Sequence, residues 1–350
     1  MNIAVDAMGG DRAPDVVVQG ALQAAGETGT TVTLVGNERA IRTALKRCGR
    51  KGPVEIFPCD EFVRMDESPM KAIRRKPNAS VRVAFDLVKG GKADAVVSAG
   101  NSGATFAAGL LVLGKVGGVD RPALASIFPG RAGEVVLIDV GANVDCRPVH
   151  LLQFGQMAQA FATACLGMAN PAVGLLSIGE EGEKGNEQVR KAHVLLKESR
   201  LNFVGNVEGR DIFTGAVPII VCDGFVGNVA LKVAEGLSET MAEMVEKEMM
   251  RTFHGRLGFR MGRSGFRKLF ETMDHETYGG APILGINGVG IVCHGSASPR
   301  AVKNGVKRAA EYVRDGFQEK LALRMADFNR VPSGCPEAAG GRTAGRDMRR

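Results

Sequence analysis

The chain has 350 residues and a formal net charge of +7, from 45 Lys and Arg against 38 Asp and Glu. Hydrophobic residues make up 45% and charged residues 24% of it, which excludes a mainly disordered chain and a coiled coil. Glycine is unusually frequent, at 47 residues, and indicates many tight turns between strands and helices, which often bind phosphates.

The predicted elements alternate along the chain between short β-branched runs and longer segments of helical periodicity. In chain order, the predicted strands are 3–7, 31–36, 54–58, 95–99, 135–140, 173–178, 203–207, 218–222 and 288–294. The predicted helices are 15–25, 38–48, 80–89, 149–166, 187–197, 226–249 and 299–323. This alternation predicts βαβ crossovers, and hence an α/β fold with a mostly parallel sheet covered by helices.

The chain's organisation indicates one domain in a reducing compartment. We assign residues 1–330 to a single domain with a projecting helical segment at 226–275, and 331–350 to a disordered basic tail. A strand-like segment follows Met1 directly, so no secretory signal is expected. The seven cysteines form no C-x-x-C motif, so neither a disulfide framework nor a zinc site is expected, and a cytoplasmic location fits best. Two uncharged stretches, 95–114 and 151–179, contain polar residues and glycines typical of strand, turn and helix units rather than membrane spans.

Six turns of small and polar residues follow predicted strands. They cover residues 6–11, 98–104, 139–143, 179–186, 223–228 and 294–299. Ligands of parallel α/β sheets bind at the carboxyl ends of the strands, and several such turns that meet at one sheet edge would form a common site. Glycine lets backbone N–H groups point at an anion, and a helix that begins behind the turn adds partial positive charge. The pattern predicts a pocket for phosphate or an oxyanion, although a single glycine turn is usually only a tight turn.

Other kinds of site fit the residues poorly. There is no Walker A motif and no G-x-G-x-x-G after the first strand, which weakens a nucleotide or dinucleotide site. Residues 100–104 miss the nucleophilic serine motif G-x-S-x-G because Ala104 replaces its last glycine. The five histidines show no metal-ligand spacing. Only His294 follows a predicted strand, and it is either a catalytic group or an ordinary core or surface histidine.

Two lysines are candidates for binding an anion. Lys184 lies between glycines, close to three acids in the same turn. It is either part of a solvated charge cluster at a helix start or a point charge for phosphate or a developing oxyanion. Lys232 lies one turn into the helix after Gly227 and Asn228, where it either reaches the same site or is a surface lysine.

Together, the turn sequences resemble one family. The resemblance rests on D-A-M-G-G-D at 6–11, residues 98–104 and 139–143, G-E-E-G-E-K-G-N at 179–186, D-G-F-V-G-N-V-A-L-K at 223–232, Y-G-G-A-P-I-L-G at 278–285 and H-G-S at 294–296. In this order, over residues 1 to about 325, they are similar to the bacterial phosphate acyltransferases of the PlsX family. The resemblance implies a Rossmann-like α/β/α sandwich, related to phosphotransacetylase and isopropylmalate dehydrogenase in architecture.

The resemblance also implies an activity. Acyl-[acyl carrier protein] and inorganic phosphate would react reversibly to acyl phosphate and free carrier protein, in a homodimer, for phospholipid synthesis. The acyl phosphate would then pass to a membrane glycerol-3-phosphate acyltransferase, which implies a cytoplasmic protein in peripheral contact with the membrane. The chemistry needs a bound phosphate, an oxyanion hole and a proton source for the leaving thiolate, and neither a metal nor another cofactor.

We therefore predict roles for residues of the strand-end turns. The predicted catalytic residues are Lys184, Asp223, Asn228 and His294. The predicted phosphate- and acyl-phosphate-binding residues are Asp6, Gly9, Gly10, Ser98, Gly100, Asn101, Ser102, Gly103, Asn143, Gly227 and Lys232. The asparagines and Lys184 are expected to hold phosphate and the oxyanion. Asp6 or Asp223 is expected to orient the phosphate, and His294 is a weaker candidate for proton transfer.

Residues 251–270 combine positive charge with apolar side chains. This window holds six cations and no acid, interleaved with phenylalanines, leucines and a methionine. The predicted membrane or carrier-protein contacts are Arg251, Phe253, Arg256, Phe259, Arg260, Arg263, Phe266 and Arg267. The window is a membrane-surface segment, a docking site for acidic carrier protein, or a helical hairpin with core phenylalanines. No nucleic-acid motif accompanies it, so nucleic acid is not an expected partner.

The helix before this window carries an apolar stripe at helical spacing. Its members are Val226, Val229, Val233, Leu237, Met241 and Met244. The stripe predicts a packing face, and a dimer face is one candidate.

Three competing functions remain open. Two are enzymes of related architecture, a CoA-dependent phosphotransacylase and an NAD-dependent dehydrogenase. The missing dinucleotide fingerprint counts against the dehydrogenase. The third is a non-catalytic membrane-associated scaffold, which would keep the basic segment but form no acyl phosphate.

Overall fold

The computed structural model describes residues 1–49, 52–262, 264–266 and 275–329. The predicted tail at 331–350 lies outside the described residues, as do Arg263 and Arg267 of the basic segment.

A mixed β-sheet forms the centre of the described part of the chain. Its eleven strands are β1 (Asn2–Asp6), β2 (Thr31–Gly36), β3 (Val54–Pro58), β4 (Ala95–Ser98), β5 (Ala123–Gly130), β6 (Gly133–Ile138), β7 (Val173–Leu176), β8 (Phe203–Val207), β9 (Ile219–Val221), β10 (Ala281–Leu284) and β11 (Val289–Val292). Their order across the sheet is β3-β2-β1-β4-β11-β10-β5-β6-β9-β7-β8.

The sheet consists of two parallel halves that run in opposite directions. Strands β3, β2, β1, β4 and β11 are parallel to one another, and so are β6, β9, β7 and β8. Between the halves, the pairs β11–β10, β10–β5 and β5–β6 are all antiparallel. Three reversals change the strand direction, so the carboxyl ends of the two halves point opposite ways. The mostly parallel sheet is confirmed, and the six turns divide between two sheet edges, three after β1, β4 and β11 and three after β6, β7 and β9.

Helices cover both faces of this sheet. One face carries α1 (Asp15–Thr28), α2 (Glu38–Cys48), α6 (Pro148–Cys165), α7 (Glu187–Lys197), α10 (Pro299–Arg314) and α11 (Phe317–Asn329). The other carries α3 (Pro69–Arg75), α4 (Ser80–Lys89), α5 (Ser102–Leu113) and the first part of α8 (Gly224–Met249). Side chains alternate between the two cores along β1, where Ile3 and Val5 pack on one face and Ala4 on the other. The predicted α/β/α sandwich is confirmed.

Only the first part of α8 packs on the sheet. Its fully buried residues are Gly224 and Gly227, and its partly buried apolar contacts to the core end at Ala234. The predicted stripe from Val226 to Met244 is exposed, with 40 to 64% of each side chain accessible. The helix α9 (Phe253–Met261) follows α8. Within the described ranges, no helix is both long and apolar enough to span a bilayer.

Candidate active site

Three strand-end turns form a first cluster, at the ends of β1, β4 and β11. The backbone N–H of Asp11 donates to the carbonyl of Gly295 at 2.9 Å, which joins the first turn to the last. Gly9 lies so close to the second turn that a Cβ there would be 2.7 Å from the nitrogen of Gly100. Gly10 has a φ of +113°, a conformation that favours glycine. These glycines therefore let the turns pack together.

The buried carboxyl group of Asp6 is the polar centre of this first cluster. It is 3% exposed and accepts hydrogen bonds from Ser98 Oγ at 2.7 Å and the N–H of Met8 at 3.2 Å. Ser98 Oγ in turn accepts from the N–H of Gly100 at 3.1 Å. Burial raises the pKa of Asp6, and the hydrogen bonds that it accepts oppose that shift. Asp6 and Ser98 are thus engaged within the turns.

The helix α5 begins at the second turn. Asn101 caps it through its side-chain oxygen, and its Nδ2 donates to the carbonyls of Met65 at 3.0 Å and Glu67 at 3.3 Å. This amide therefore joins the helix to a neighbouring loop. Ser102 and Gly103 lie exposed in the first turn of the helix, where backbone N–H groups lack partners within the helix.

Two other turns form a second cluster, at the ends of β6 and β9. The buried carboxylate of Asp139 accepts hydrogen bonds from four backbone N–H groups, at 2.6 to 3.2 Å. Burial raises its pKa, and these donors oppose the shift. The Nδ2 of Asn143 donates to the carbonyl of Pro122 at 2.8 Å and to Asp139 at 3.0 Å. Both amide hydrogens of Asn143 are therefore engaged in shaping the turn.

The start of α8 belongs to this second cluster. Asp223 caps the helix through its carboxylate, and the N–H of Gly224 donates to the carbonyl of Asn143 at 2.7 Å. A Cβ at Gly227 would collide with the carbonyl oxygen of Asp139. Glycine at 227 thus allows α8 to begin directly against the turn after β6.

A cavity of about 140 Å³ lies between the two clusters, over β5 and β10, and is called the polar cavity here because Asn228, Lys232, Glu235 and His294 are part of its lining. The first cluster contributes Ser102, Cys293 and His294 to its lining. The second contributes Val140 and Gly141, and α8 contributes Asn228 and Lys232. At ~30 Å³ per water, the volume corresponds to about five waters, enough for a phosphate beside a carbonyl group. Turns from both halves of the sheet, which run in opposite directions, therefore line one cavity.

Four predicted catalytic or binding residues line this polar cavity, namely Ser102, Asn228, Lys232 and His294. Lys232 lies with its Nζ 2.7 Å from a carboxylate oxygen of Glu235, and 47% of its side chain is exposed. His294 is exposed, and its Nδ1 lies 2.8 Å from Ser296 Oγ. Asn228 is exposed on α8 beside the turn after β6. A cation, an amide and an imidazole thus face one space, whereas the sequence analysis missed Glu235.

Lys184 lies apart from the lining of the polar cavity, on the turn after β7. Because β7 is parallel to β9, this turn lies at the same sheet edge as the second cluster. The Lys184 stem crosses Gly179, where a Cβ would lie 3.1 Å from Cγ. The Nδ2 of Asn206 holds the turn by donating to the carbonyl of Glu181 at 2.7 Å. Lys184 is exposed, and no hydrogen bond or ion pair of its ammonium group occurs with the described residues.

The described part of the basic segment divides its apolar side chains into two sets. Phe253, Leu257 and Met261 are 71%, 50% and 79% exposed. Phe259 and Phe266 instead stack on each other, with ring centroids 5.2 Å apart. The described arginines are Arg251, Arg256 and Arg260, all exposed. The segment thus presents apolar side chains and cations to solvent together.

Comparison with known proteins identifies the family. The family described as fatty acid synthesis proteins matches residues 1–320. The chain is 50% identical over 326 residues to the phosphate acyltransferase of Citrifermentans bemidjiense, an alignment that covers 93% of each chain. It is 49% identical over 326 residues to that of Geobacter sulfurreducens, covering 93% of this chain and 94% of the relative. The chain belongs to this family. The predicted resemblance and the predicted enzyme class, an acyltransferase, are confirmed.

Solved structures agree with the fold. A phosphotransacetylase from Streptococcus pyogenes matches with a TM-score of 0.62 and 17% identity, over 90% of this chain and 94% of its own. A 4-hydroxythreonine-4-phosphate dehydrogenase from Klebsiella pneumoniae matches with a TM-score of 0.54 and 14% identity, over 89% of this chain and 99% of its own. At these identities the matches establish the architecture alone, which is the predicted Rossmann-like one.

Proposed function

We propose that the protein transfers a fatty acyl group from acyl-[acyl carrier protein] to inorganic phosphate, giving acyl phosphate and free carrier protein. The observation that carries this proposal is the polar cavity between the two turn clusters, where Asn228, Lys232 and His294 meet beside the start of α5. The names of the relatives, phosphate acyltransferases, support phosphate as the acceptor.

Phosphate is bound in the polar cavity. Ser102 brings the first turn of α5 to its lining, so backbone N–H groups and the helix dipole favour an anion there. Lys232 adds a full positive charge from the opposite side. Its partner Glu235 holds the ammonium in place, and phosphate competes with that carboxylate for it.

Acyl transfer then proceeds by direct attack. A phosphate oxygen adds to the thioester carbonyl carbon, which forms a C–O bond and places negative charge on the carbonyl oxygen. The Asn228 amide donates to this oxyanion. Lys184, on the turn after β7 outside the cavity lining, adds a positive charge at the same sheet edge. When the C–S bond breaks, the thiolate takes a proton, for which His294 is the candidate donor. Five further residues act by positioning the turns: the buried Asp6, Ser98, Asn143 and Asp223, and in addition Asn101.

Trapping with hydroxylamine tests this function. The purified protein is given phosphate and either palmitoyl-[acyl carrier protein] or palmitoyl-CoA, and the acyl hydroxamate is measured. We expect phosphate-dependent hydroxamate from the carrier-protein thioester. Product from palmitoyl-CoA alone would instead identify a CoA-dependent phosphotransacylase. No hydroxamate from either donor would favour the scaffold, and an NAD-dependent absorbance change would favour the dehydrogenase.

We also propose that the protein is a cytoplasmic homodimer. The exposed apolar residues Val226, Val229, Val233 and Met244 of α8 provide an apolar face for a second copy of the chain. A dimer would carry two basic segments, which would strengthen a contact with a membrane or with carrier protein. Such a contact would bring acyl phosphate close to a membrane glycerol-3-phosphate acyltransferase.

Serine substitutions at Phe253, Leu257 and Met261 together should weaken binding to vesicles containing anionic lipid at least tenfold. These three side chains are exposed beside arginines, so they can enter the interface while the cations meet the headgroups. Co-sedimentation measures the effect. Serine at Val194, Val204 and Leu323, which are exposed elsewhere, is the matched control. Equal sedimentation of both variants would contradict the membrane contact, and a raised KM for acyl carrier protein without vesicles would assign the segment to that partner.

A further inference from the structure

We infer that a second, apolar cavity beside the polar one binds the hydrocarbon chain of a long-chain acyl substrate. The inference rests on the proposed function, because that function places a thioester carbonyl in the polar cavity. It adds the site of the chain and the class of acyl group. The apolar cavity has a volume of about 410 Å³, within the usual range of ligand pockets.

The apolar cavity lies between β5 and α8. Ile127, Phe128 and Pro129 come from the strand, and Leu231, Ala234, Leu237 and Met241 come from the helix. Phe213 also lines the cavity and packs edge-on against Phe128, with ring centroids 6.0 Å apart. Such walls suit a hydrocarbon, whose burial they favour, and offer few partners to the polar backbone of a peptide.

The apolar and polar cavities are contiguous. Ser126, Leu231, Glu235 and Tyr278 line both of them. A ligand with a polar head beside Asn228 and an apolar tail can therefore lie across this junction. This continuity is the reason for assigning the cavity to the acyl chain rather than to a segment of a second copy.

The helix α8 runs along both cavities and sets the length of the combined site. Its residues change from Asn228 and Lys232 at the polar end to Leu237 and Met241 at the apolar end. At 1.5 Å per residue, this run is about 20 Å long. The hydrocarbon core of a bilayer is ~30 Å thick and holds two layers of acyl chains, so about 15 Å accommodates one. The site therefore has room for a long-chain acyl group.

Filling the apolar cavity should change the chain-length preference. Phenylalanine at Ala234 would displace about two to three methylenes of a long chain and leave room for a short one. At about fourfold per methylene, we expect kcat/KM with palmitoyl-[acyl carrier protein] to fall about 30-fold relative to the butanoyl thioester. The matched control is Glu239→Phe, an exposed position of α8 that lines neither cavity.

A binding measurement on the same variants separates this inference from the proposed function. Equilibrium binding of palmitate needs no turnover and should weaken in Ala234→Phe but not in Glu239→Phe. If no acyl phosphate forms with any chain length but Ala234→Phe still loses palmitate binding, the proposed function is rejected. The assignment of the apolar cavity to a hydrocarbon chain then stands. If kcat/KM falls equally for both chain lengths and palmitate binding is unchanged, the cavity assignment is wrong.

Photolabelling of the parent protein covers the case in which Ala234→Phe does not fold. Palmitate carrying a diazirine at its last carbon should label peptides that contain Phe213 or Met241. Labelling confined to Phe253, Leu257 or Val226, outside the cavity, would overturn the assignment.

Discussion

Replacing Lys184 with alanine is expected to lower kcat/KM for acyl phosphate formation about 100-fold, the loss typical of one oxyanion-stabilising group. The reason lies in its environment. The ammonium group lies at the sheet edge that carries the second turn cluster, and it is exposed. Among described residues it has no hydrogen-bonded or ion-paired partner, so its removal breaks no hydrogen bond or ion pair within that set and loses only the contact of its stem with Gly179. We therefore expect the melting temperature to stay unchanged while activity falls.

The measurement is incorporation of labelled phosphate under kcat/KM conditions. Lys191→Ala is the matched control, because Lys191 is an exposed lysine of α7 whose ion pair with Glu187, at 2.6 Å, lies away from the polar cavity. Lys184→Arg keeps the charge and should recover part of the activity. Unchanged kinetics in Lys184→Ala would remove this residue from the mechanism.

Replacing Asn228 with aspartate should be at least as damaging, with a loss of about 10²- to 10³-fold in kcat. The two side chains have the same shape, so the polar cavity keeps its form. The change removes the N–H donor for the oxyanion and puts a carboxylate beside the phosphate, which repels both anions. Because Asn228 is exposed, the variant should fold normally.

Three measurements separate the possible causes of that loss. Asn228→Ala removes the donor without adding charge, so it should lower kcat more than it raises the KM for phosphate. Asn228→Asp should in addition raise the KM for phosphate. Asn202→Asp, an exposed asparagine that lines neither cavity, is the matched control and should behave as the parent. If both variants raise the KM for phosphate and leave kcat unchanged, Asn228 binds phosphate and does not stabilise the oxyanion.

The fold was largely predictable because its parallel strands are β-branched runs between amphipathic helices. All nine predicted strands occur, with bounds within two residues of the observed ones. The two that were missed are β5, which ends in Pro129 and Gly130, and β10, which has four residues after two glycines. Both take part in the antiparallel contacts, so missing them hid the reversal of direction between the two halves. The predicted helix at 299–323 is divided at Gly316, whose φ of +62° ends it.

The site was less predictable, because one residue type serves two purposes after a strand. An Asn or Asp before a helix can bind an anion or cap the helix. The sequence motifs do not separate these uses, and Asn101 and Asp223 are caps, whereas Asn143 donates to the Pro122 carbonyl and to Asp139 within its turn. The apolar cavity is only weakly indicated by the sequence. Leu231, Ala234 and Ser238 are spaced three and four residues apart, which places them on one face of α8.

The opposed directions of the two half-sheets have an electrostatic consequence. Because a helix starts where its strand ends, α5 and α8 begin in different halves, and both reach the lining of the polar cavity. Each helix start contributes about half a positive charge. In the proposed function, a phosphate dianion would lie beside the first turn of α5, whose backbone would compensate part of its charge, while α8 reaches the cavity one turn beyond its start, through Asn228 and Lys232. The partial charge at a helix start comes from backbone dipoles, so it does not change with pH. It also persists when any one side chain is replaced.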